Sequence, residues 1–490
     1  MRLTLLSRTS DLAVLQTGLV ADALRARWPG IEIVRTTRSS AGDRDDTTPL
    51  WKADDKGLFT ADLSDDLLKG RADLVVHSWK DLPIEGRPGT RIAATLERAD
   101  PRDVLLVRRE AADARPERLT VLSSSPRRAW QIESTLAPLL PWRISSITTV
   151  PVRGNIPTRL AKLVRGDGDA LIVAKAALDR LLSDEAPAAA RQAVRDALAR
   201  ARWMVLPLRE HPTAPAQGAL AIEIPANRDD VASTVGAISH QPTWTAVERE
   251  REVLASFGGG CHAAVGATML VRDYGRVLSV RANVNASPQV TWSLETDTPP
   301  PPPSAASAIW PRPEERDEAS RKRLVVDQPA GNEGFWVARA DALPENWTIA
   351  TERLIWAAGT RTWTRLAARG IWVHGCADGL GDTEPTDIDR LAGRDVAWRR
   401  LTHAGTDDPA ALATYVVDRP LPGDLDRRTH FFWTSGRLFR DAMAAHPALA
   451  GAWHASGPGR TARAIRDNLD SSARVSVWLD YDQWHQTVTR

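Results

Sequence analysis

Strand-like and helix-like segments alternate along the first 225 residues, and no other feature of the sequence limits the possible folds as much. Apolar runs predict strands at Arg2–Leu6, Ile31–Thr36 and Ala72–His77. Between the first two strands, Ser10 is suited to cap a helix that ends near Trp28. Because strands that alternate with helices form layered sheets, we predict an α/β fold.

The pattern divides the chain into several units, as expected for a length of 490 residues. Two α/β domains are predicted, domain 1 from residues 1–100 and 215–238, and domain 2 from residues 101–214. A small α+β domain, residues 239–297, should hold an antiparallel sheet built from Ala264–Val271, Val277–Val284 and Gln289–Leu294. A proline-rich and charged linker is predicted at 298–342, clearest at Thr298–Ser307. An α/β region, hinged on that linker, is expected at 343–490.

Composition indicates a soluble globular protein with 43% hydrophobic residues, 26% charged residues and a net charge of +2. This balance provides no polybasic field, so nucleic acid is not an expected partner. The apolar runs are too short for a signal peptide or a membrane span. Two cysteines far apart in sequence suggest no disulfide framework. We therefore expect a cytoplasmic enzyme.

Basic residues occur where helices begin after strands. Ser124, Ser125, Arg127 and Arg128 follow the strand Leu119–Leu122 and open a helix. Arg153 and Gly154 precede a second helix, which carries Arg159 one turn in. Free backbone N–H groups and arginines at a helix N-terminus favour anions. With the loops of Arg8 and Lys80, these clusters predict a cleft for a ligand that carries several carboxylates or phosphates.

Three glycines lead into Cys261, and they leave three interpretations open. Cys261 is either a buried cysteine after a flexible turn, a nucleophile paired with His262, or a covalent anchor for a cofactor. The nucleophile pair is disfavoured, because adjacent residues of a strand point to opposite faces. His374 and Cys376 provide too few ligands to predict a metal site.

Eight short motifs occur in the order found in one enzyme family. They are Ser7-Arg8-Thr9-Ser10, Lys56-Gly57-Leu58-Phe59, His77 to Pro83, Asp100-Pro101-Arg102-Asp103, Ser124 to Arg128, Arg153-Gly154-Asn155, Gln217-Gly218-Ala219 and Gly259-Gly260-Cys261. With these motifs, residues 1 to about 297 resemble the hydroxymethylbilane synthase family, also called the porphobilinogen deaminase family. The resemblance implies two periplasmic-binding-protein-like domains and a small domain that carries the cofactor.

The resemblance also implies an activity. The family condenses four porphobilinogen molecules head to tail with loss of ammonia, on a dipyrromethane primer, and water releases the linear tetrapyrrole. Dipyrromethane would be held as a thioether on Cys261, and Asp81 would be the catalytic carboxylate. Cofactor-binding residues would be Lys80, Ser124, Ser125, Arg127, Arg128, Arg153 and Gly154. Substrate-binding residues would be Arg8, Ser10, Arg153, Arg159 and Gln217. The expected partner is porphobilinogen alone, without nucleic acid, membrane or metal, and a monomer is expected.

The sequence departs from the family pattern at several positions: Asp11, Asp54, Asp55, Pro126, Ala216 and His262. None of these replaces a residue to which the resemblance assigns chemistry. A non-catalytic, two-lobed anion-binding protein is the main alternative, although such a protein needs neither Cys261 nor Asp81.

The C-terminal region resembles part of uroporphyrinogen-III synthase in short motifs, among them Thr414-Tyr415-Val416-Val417 and Ser456 to Ala462. Only one incomplete lobe is expected, because the matches cover about 140 residues. Tyr415 and Thr461 match residues placed in that family's cleft. The region is either a second enzyme that closes the tetrapyrrole ring or a degenerate domain that tethers or interacts.

Overall fold

The computed structural model describes residues 1–39, 61–258, 264–318, 320–406, 408–469 and 474–490, and these residues form five β-sheets. The strands, numbered along the chain, are β1 (Arg2–Arg8), β2 (Glu32–Arg38), β3 (Leu74–Ser78), β4 (Thr90–Ala94), β5 (Asp103–Arg108), β6 (Arg118–Leu122), β7 (Ser146–Val150), β8 (Ala170–Ala174), β9 (Ala201–Val205), β10 (Leu220–Pro225), β11 (Ala264–Arg272), β12 (Gly275–Val284), β13 (Ser287–Glu295), β14 (Ile309–Trp310), β15 (Ser320–Arg323), β16 (Gly334–Val337), β17 (Ile355–Ala357), β18 (Gly375–Cys376), β19 (Trp398–His403), β20 (Ala411–Asp418), β21 (His430–Trp433), β22 (Trp453–Ser456) and β23 (Val475–Val477).

Helices pack between and over these strands, so the fold is mixed α/β as predicted. Within the described residues they are α1 (Asp11–Arg27), α2 (Ala61–Leu68), α3 (Arg109–Ala114), α4 (Pro126–Thr135), α5 (Ile156–Arg165), α6 (Lys175–Leu181), α7 (Ala188–Ala199), α8 (Asp229–Gly236), α9 (Gln241–Ser256), α10 (Thr360–Ala367), α11 (Asp389–Ala392), α12 (Gly436–Ala445), α13 (Arg460–Asp467) and α14 (Tyr481–Val488). The predicted cap of α1 is confirmed, since the Ser10 hydroxyl accepts from the Ala13 N–H at 3.4 Å.

Domains 1 and 2 contain sheets of the same topology. Their strand orders are β2-β1-β3-β10-β4 and β7-β6-β8-β5-β9. In each sheet the first three strands are parallel, and the fourth is antiparallel to both neighbours. The chain passes between the two domains twice, through residues 95–102 and 206–219. Loops at the carboxyl ends of the parallel strands therefore meet between the domains, where ligands bind in open α/β sheets.

The third domain is the antiparallel sheet β11-β12-β13 with α9 packed on β11, as the alternation of its strands predicted. Glu250 on α9 is fully buried and anchors this domain to both crossing segments. Its carboxylate accepts from Arg98 at 2.6 and 3.0 Å and from the backbone N–H groups of Ala216 and Met269. This buried carboxylate thus helps to fix the position of the third domain, together with the bonds of Thr268 to Thr213 and of Ser279 to the Leu208 carbonyl.

The C-terminal region differs from two expectations, namely a linker at residues 298–342 and a single incomplete lobe after it. Residues 298–342 are not a continuous linker, because β14, β15 and β16 lie within this segment and pair in sheets. The region also contains two sheets instead of one incomplete lobe, ordered β14-β21-β22-β23 and β15-β20-β19-β16-β17-β18. Trp310 explains the first error, since this residue among prolines is buried by tertiary contacts, among them Trp433, 4.9 Å away between ring centroids.

The six-stranded sheet is docked on domain 2 and does not hang on a hinge. The backbone N–H of Val205, at the end of β9, donates to the His374 carbonyl beside β18 at 2.8 Å. Trp363 and Trp372 donate their indole N–H groups to the backbone carbonyls of Leu139 and Trp203, at 2.9 and 3.0 Å. Apolar residues of both units form continuous cores. We call this contact between domain 2 and the six-stranded sheet the joint.

The joint and the C-terminal cores account for much of the unusual tryptophan content. Eleven of the 19 tryptophans lie between residues 310 and 484. Trp310, Trp356, Trp363, Trp433 and Trp484 are among the largest fully buried side chains of the protein. No helix within the described ranges is long and apolar enough to cross a membrane.

Candidate active site

The cleft between domains 1 and 2 collects most of the predicted site residues. A 3₁₀ turn after β3, Trp79–Asp81, provides Lys80 and Asp81 from domain 1. The starts of α4 and α5 provide the serines and arginines of domain 2. Gln217 comes from the second crossing segment. The four sequence motifs that hold these residues are therefore brought together only by the packing of two domains.

A buried carboxylate, Asp103 at the start of β5, organises this cleft. It accepts from Arg127 at 3.0 Å, from Arg128 at 2.7 and 3.1 Å, and from the Gln217 side-chain amide at 2.8 Å. These cations and hydrogen bonds outweigh the cost of burying the charge, so the pKa of Asp103 is held well below its usual range.

Gln217 carries this network into domain 1. Its amide also donates to the Pro101 carbonyl at 2.7 Å, and its carbonyl oxygen accepts from Lys80 at 3.2 Å. Burial and the nearby arginines lower the pKa of Lys80 to about 8, against the opposing effect of Asp81. Gln217, predicted to bind substrate, therefore positions Lys80 in this structure.

Arg127 and Arg128 are neighbours in sequence but differ in what they can reach. Arg127 is buried, and besides Asp103 it donates to Gln131 and to the Pro212 carbonyl, both at 2.9 Å. Its guanidinium is thus occupied by protein acceptors. Arg128 is less buried but is also bound to protein acceptors, since it donates to Asp103 and, at 3.3 Å, to the Ile172 carbonyl. Its charge lowers the pKa values of Lys80 and Arg159.

The two serines at the start of α4 are engaged with the protein. The Ser125 hydroxyl caps the helix by accepting from the Arg128 N–H at 3.4 Å. The Ser124 hydroxyl donates to the Val152 carbonyl at 2.7 Å and accepts from the Val152 N–H at 2.9 Å. They fix the helix start and tie it to the loop that carries Arg153.

The start of α5 places two further arginines in the cleft. Gly154 has φ of 106°, and a Cβ there would lie 2.7 Å from the Thr158 side chain, so a larger residue is excluded. Its carbonyl accepts from Arg159 at 2.7 Å. Burial and the charges of Arg128 and Arg153 lower the pKa of Arg159 to about 10. The buried Arg153 Nε has no hydrogen-bond partner among the described residues.

Asp81 is the one predicted catalytic acid, and it lies among these cations. Its side chain is exposed, and its charge raises the pKa values of Lys80 and Arg159.

The remaining predicted residues lie elsewhere or outside the described residues. Arg8 ends β1 on the domain 1 side, while Ser10 is used as the cap of α1. Cys261 and His262, like the Lys56-Gly57-Leu58-Phe59 motif, Asp54 and Asp55, lie outside the described residues.

Two buried acids were not recognised as site residues from the sequence. One is Asp103, and the other is Asp100, which accepts from Arg102 at 2.6 Å and lies 3.4 Å from Lys175. Both stand in the Asp100-Pro101-Arg102-Asp103 motif, directly before the apolar strand β5. Acids that adjoin a wholly buried strand must be buried with partners, and this was the available signal.

Comparison with known proteins assigns the family. Residues 3–233 match the family described as porphobilinogen deaminase, dipyromethane cofactor binding domain. The chain is 40% identical to the porphobilinogen deaminase of Burkholderia orbicola (strain MC0-3) over 266 residues, which are 54% of this chain and 73% of that protein. The chain belongs to the porphobilinogen deaminase family.

Other members of the family have similar sequence identities to this chain. The porphobilinogen deaminase of Ralstonia nicotianae is 38% identical over 59% of this chain and 79% of its own length, and that of Syntrophomonas wolfei is 36% identical over 53% and 78%. A solved periplasmic sulfonate-binding protein, SsuA from Methylobacillus flagellatus KT, is 11% identical with a TM-score of 0.28 over 52% of this chain and 72% of that one. The identities to the porphobilinogen deaminases confirm the predicted enzyme family.

The cleft of this family member suits the cofactor of the matched domain. Dipyrromethane carries carboxylate groups, and the cleft presents Lys80, Arg128, Arg153 and Arg159 around one exposed acid. The unpartnered Nε of Arg153 is a donor that a ligand carboxylate would satisfy. The residues present therefore fit a polycarboxylate.

We expect Asp103→Asn to lower the free energy of unfolding by about 3–5 kcal/mol at pH 7, because two buried arginines lose their counterion. The folded-state pKa of Asp103 is lowered, so its contribution is present above the unfolded pKa near 4 and is lost as the pH falls through the folded value. The difference between wild type and variant should then shrink below about pH 4. Denaturant titrations across pH measure this, with the exposed Asp196→Asn as control. A pH-independent difference would contradict it.

Proposed function

We propose that residues 1–297 act as a hydroxymethylbilane synthase. The enzyme joins four porphobilinogen molecules with loss of ammonia, and the growing chain is held on dipyrromethane bound to Cys261. The observation that carries the proposal is the arrangement of the cleft in a member of this family: one exposed carboxylate, Asp81, lies among cations from two domains. The proposal includes a monomeric enzyme in the cytoplasm.

The basic residues bind the acidic side chains of the pyrroles. Each porphobilinogen carries an acetate and a propionate, so negative charge accumulates as units are added. Arg128, Arg153 and Arg159 present planar guanidinium groups, which bind carboxylates in a bidentate manner. Lys80 adds a point charge, held in place by Gln217. Arg127 and the two serines then act by positioning Arg128 and the loop of Arg153, without touching the ligand.

Asp81 supplies the carboxylate for the chemistry. When ammonia leaves porphobilinogen, positive charge develops on the pyrrole, and a fixed carboxylate nearby stabilises that charge. The same carboxylate accepts pyrrole N–H groups and can move a proton during each condensation. Dipyrromethane supplies the primer to which each unit is added. Arg8 and the loop that follows it would contact the incoming substrate from domain 1.

The attachment site can be tested by intact mass. Cys261 precedes β11 by three residues in the chain, whereas Cys376 is buried and burial raises the pKa of its thiol. We expect Cys261→Ser to purify without the mass of dipyrromethane and Cys376→Ser to retain it, because only an accessible thiolate reacts. A covalent adduct that persists on the Cys261 variant would refute the assignment, and a two-lobed binding protein predicts the bare chain throughout.

The role of Asp81 can be tested by steady-state kinetics. Asp81→Asn should lower kcat by at least about 100-fold and change KM far less, because the lost charge acts mainly in the transition state. Glu97→Gln, at a position to which no role is assigned, serves as the matched control. Near-normal kcat in the Asp81 variant would show that the carboxylate only binds substrate.

Ring closure by the C-terminal region is the second candidate function. The presence of two sheets favours it, since uroporphyrinogen-III synthase has two lobes and only one incomplete lobe was expected. Two observations oppose it. Tyr415, expected in the cleft, is buried in the core at the joint.

The second opposing observation is an ion cluster between the two C-terminal sheets. Arg400 lies on β19 of the six-stranded sheet, and Arg460 begins α13, which follows β22 of the four-stranded sheet. Both arginines pair with Asp382 and Asp408 at 2.8–3.2 Å. Beside this cluster, a Cβ at Gly381 would lie 2.8 Å from the Gly459 Cα. The loops that should border a substrate cleft are thus in contact, and we favour a domain that supports domain 2.

Product analysis distinguishes the two roles. We expect the full-length protein, supplied with porphobilinogen, to yield mainly isomer I of the cyclic product, because an unassisted linear tetrapyrrole closes without inverting its last ring. Separation of the oxidised porphyrin isomers measures this, with added uroporphyrinogen-III synthase as the control that yields isomer III. Isomer III in excess without that addition, lost in Thr461→Ala, would establish ring closure by this region.

A further inference from the structure

A cavity of about 540 Å³ opens at the joint, remote in the fold from the cleft between domains 1 and 2. One wall is formed by α7 and β9 of domain 2, and the other by residues 351–354, residues 372–374 and α11 of the C-terminal region. None of the candidate active-site residues lines it. Its volume lies in the range typical of small-molecule sites.

The floor of the cavity is aromatic. Trp203 and Trp372 are both buried and come from opposite sides of the joint. They are connected directly, since the Trp372 indole donates to the Trp203 carbonyl at 3.0 Å. The rings are covered by the protein's own side chains, since Trp142 stacks on Trp372 at 6.2 Å between centroids and His374 packs edge-on against Trp203 at 4.9 Å. The floor is therefore rigid and apolar, and the polar groups of a ligand would be bound at the rim.

The rim is basic. Four arginines line the cavity, namely Arg109, Arg195, Arg202 and Arg394. Glu352 is the single acidic lining residue, and it pairs with Arg109 at 3.1 Å. Arg195 and Arg394 bond to backbone carbonyls, of Arg390 and Asn332, which hold the side chains in place without neutralising them. A positive charge therefore remains at the rim.

Arg202 provides the most specific observation. Its guanidinium lies 5.6 Å from the centroid of the Trp372 ring, and one terminal nitrogen pairs with Asp113 at 3.2 Å. Its Nε is buried and has no hydrogen-bond partner within the described part of the chain. A buried donor without an acceptor is costly, and a ligand oxygen in the cavity would remove that cost.

We propose that this cavity is a binding site for an anion with two or more carboxylate or phosphate groups. The acid groups of the ligand contact Arg195, Arg202 and Arg394. Since both walls contribute, the ligand binds the docked arrangement of the joint and stabilises it.

Calorimetric titration of the purified full-length holoenzyme tests the proposal. ATP and coproporphyrin are titrated separately, the first to supply phosphates and the second carboxylates on a planar ring. At least one should bind with one site per chain, and the melting temperature should rise with its concentration. Failure of both probes to bind would overturn the proposal.

Variants on each wall locate the site. Arg195→Gln from domain 2, Arg394→Gln from the C-terminal region and Arg202→Leu should each weaken binding at least about tenfold, since each loses a charge-assisted contact. Arg191→Gln, on α7 outside the cavity, is the matched control and should bind as wild type does. Turnover of Arg195→Gln and Arg394→Gln without probe should be unchanged.

A cleft variant separates this site from the active site. Arg153→Gln should bind the probe at the joint as tightly as wild type does, whatever its effect on porphobilinogen. Binding that is lost in Arg153→Gln and kept in the three cavity variants would mean that the probe enters the catalytic cleft, and would refute the binding site at the joint. Loss in the variants of one wall only would refute a site shared across the joint.

Discussion

The catalytic cleft depends on one buried carboxylate, Asp103. Arg127, Arg128 and Gln217 converge on it from a helix of domain 2 and from a crossing segment, and Gln217 passes the contact on to Lys80 of domain 1. A cluster of cations at close range is destabilised by mutual repulsion. The buried acid offsets part of this repulsion and fixes the geometry, while it leaves Arg128 and Lys80 at the cleft.

Domain 2 is the structural centre of the molecule because it has partners on two sides. One side forms the cleft with domain 1, and the other is covered by the six-stranded C-terminal sheet. Trp363 illustrates the second contact, since it is fully buried and its indole bonds to Leu139 across the joint. Removing the C-terminal region would uncover this core. A truncation would therefore change the stability of domain 2 as well as any second activity. Point variants leave this core covered, so they test the second activity alone.

The structure brings most of the predicted site residues to one cleft, but the sequence does not reveal which protein groups each of them contacts. Arg127 and Arg128 stand side by side in one motif, and nothing in their type distinguishes the buried arginine from the one at the cleft. Successive helix positions are turned about 100° apart, so Arg127 reaches Gln131 and Pro212 whereas Arg128 reaches the Ile172 carbonyl. Asp103 was overlooked for a related reason, as an acid at the start of a strand is usually exposed.

By itself, the sequence determined the α/β class, the cap and length of α1, the antiparallel third domain and the deaminase family, because these depend on local periodicity, capping and short motifs. Only the tertiary structure decided which strands residues 298–342 form and how many sheets the C-terminal region contains. The two-residue strand β14 and the short strands β15 and β16 have too few residues to show a period, and prolines and charges surround them. They become strands because partners distant in sequence supply their hydrogen bonds and bury Trp310, Phe335 and Val337, which no local pattern records.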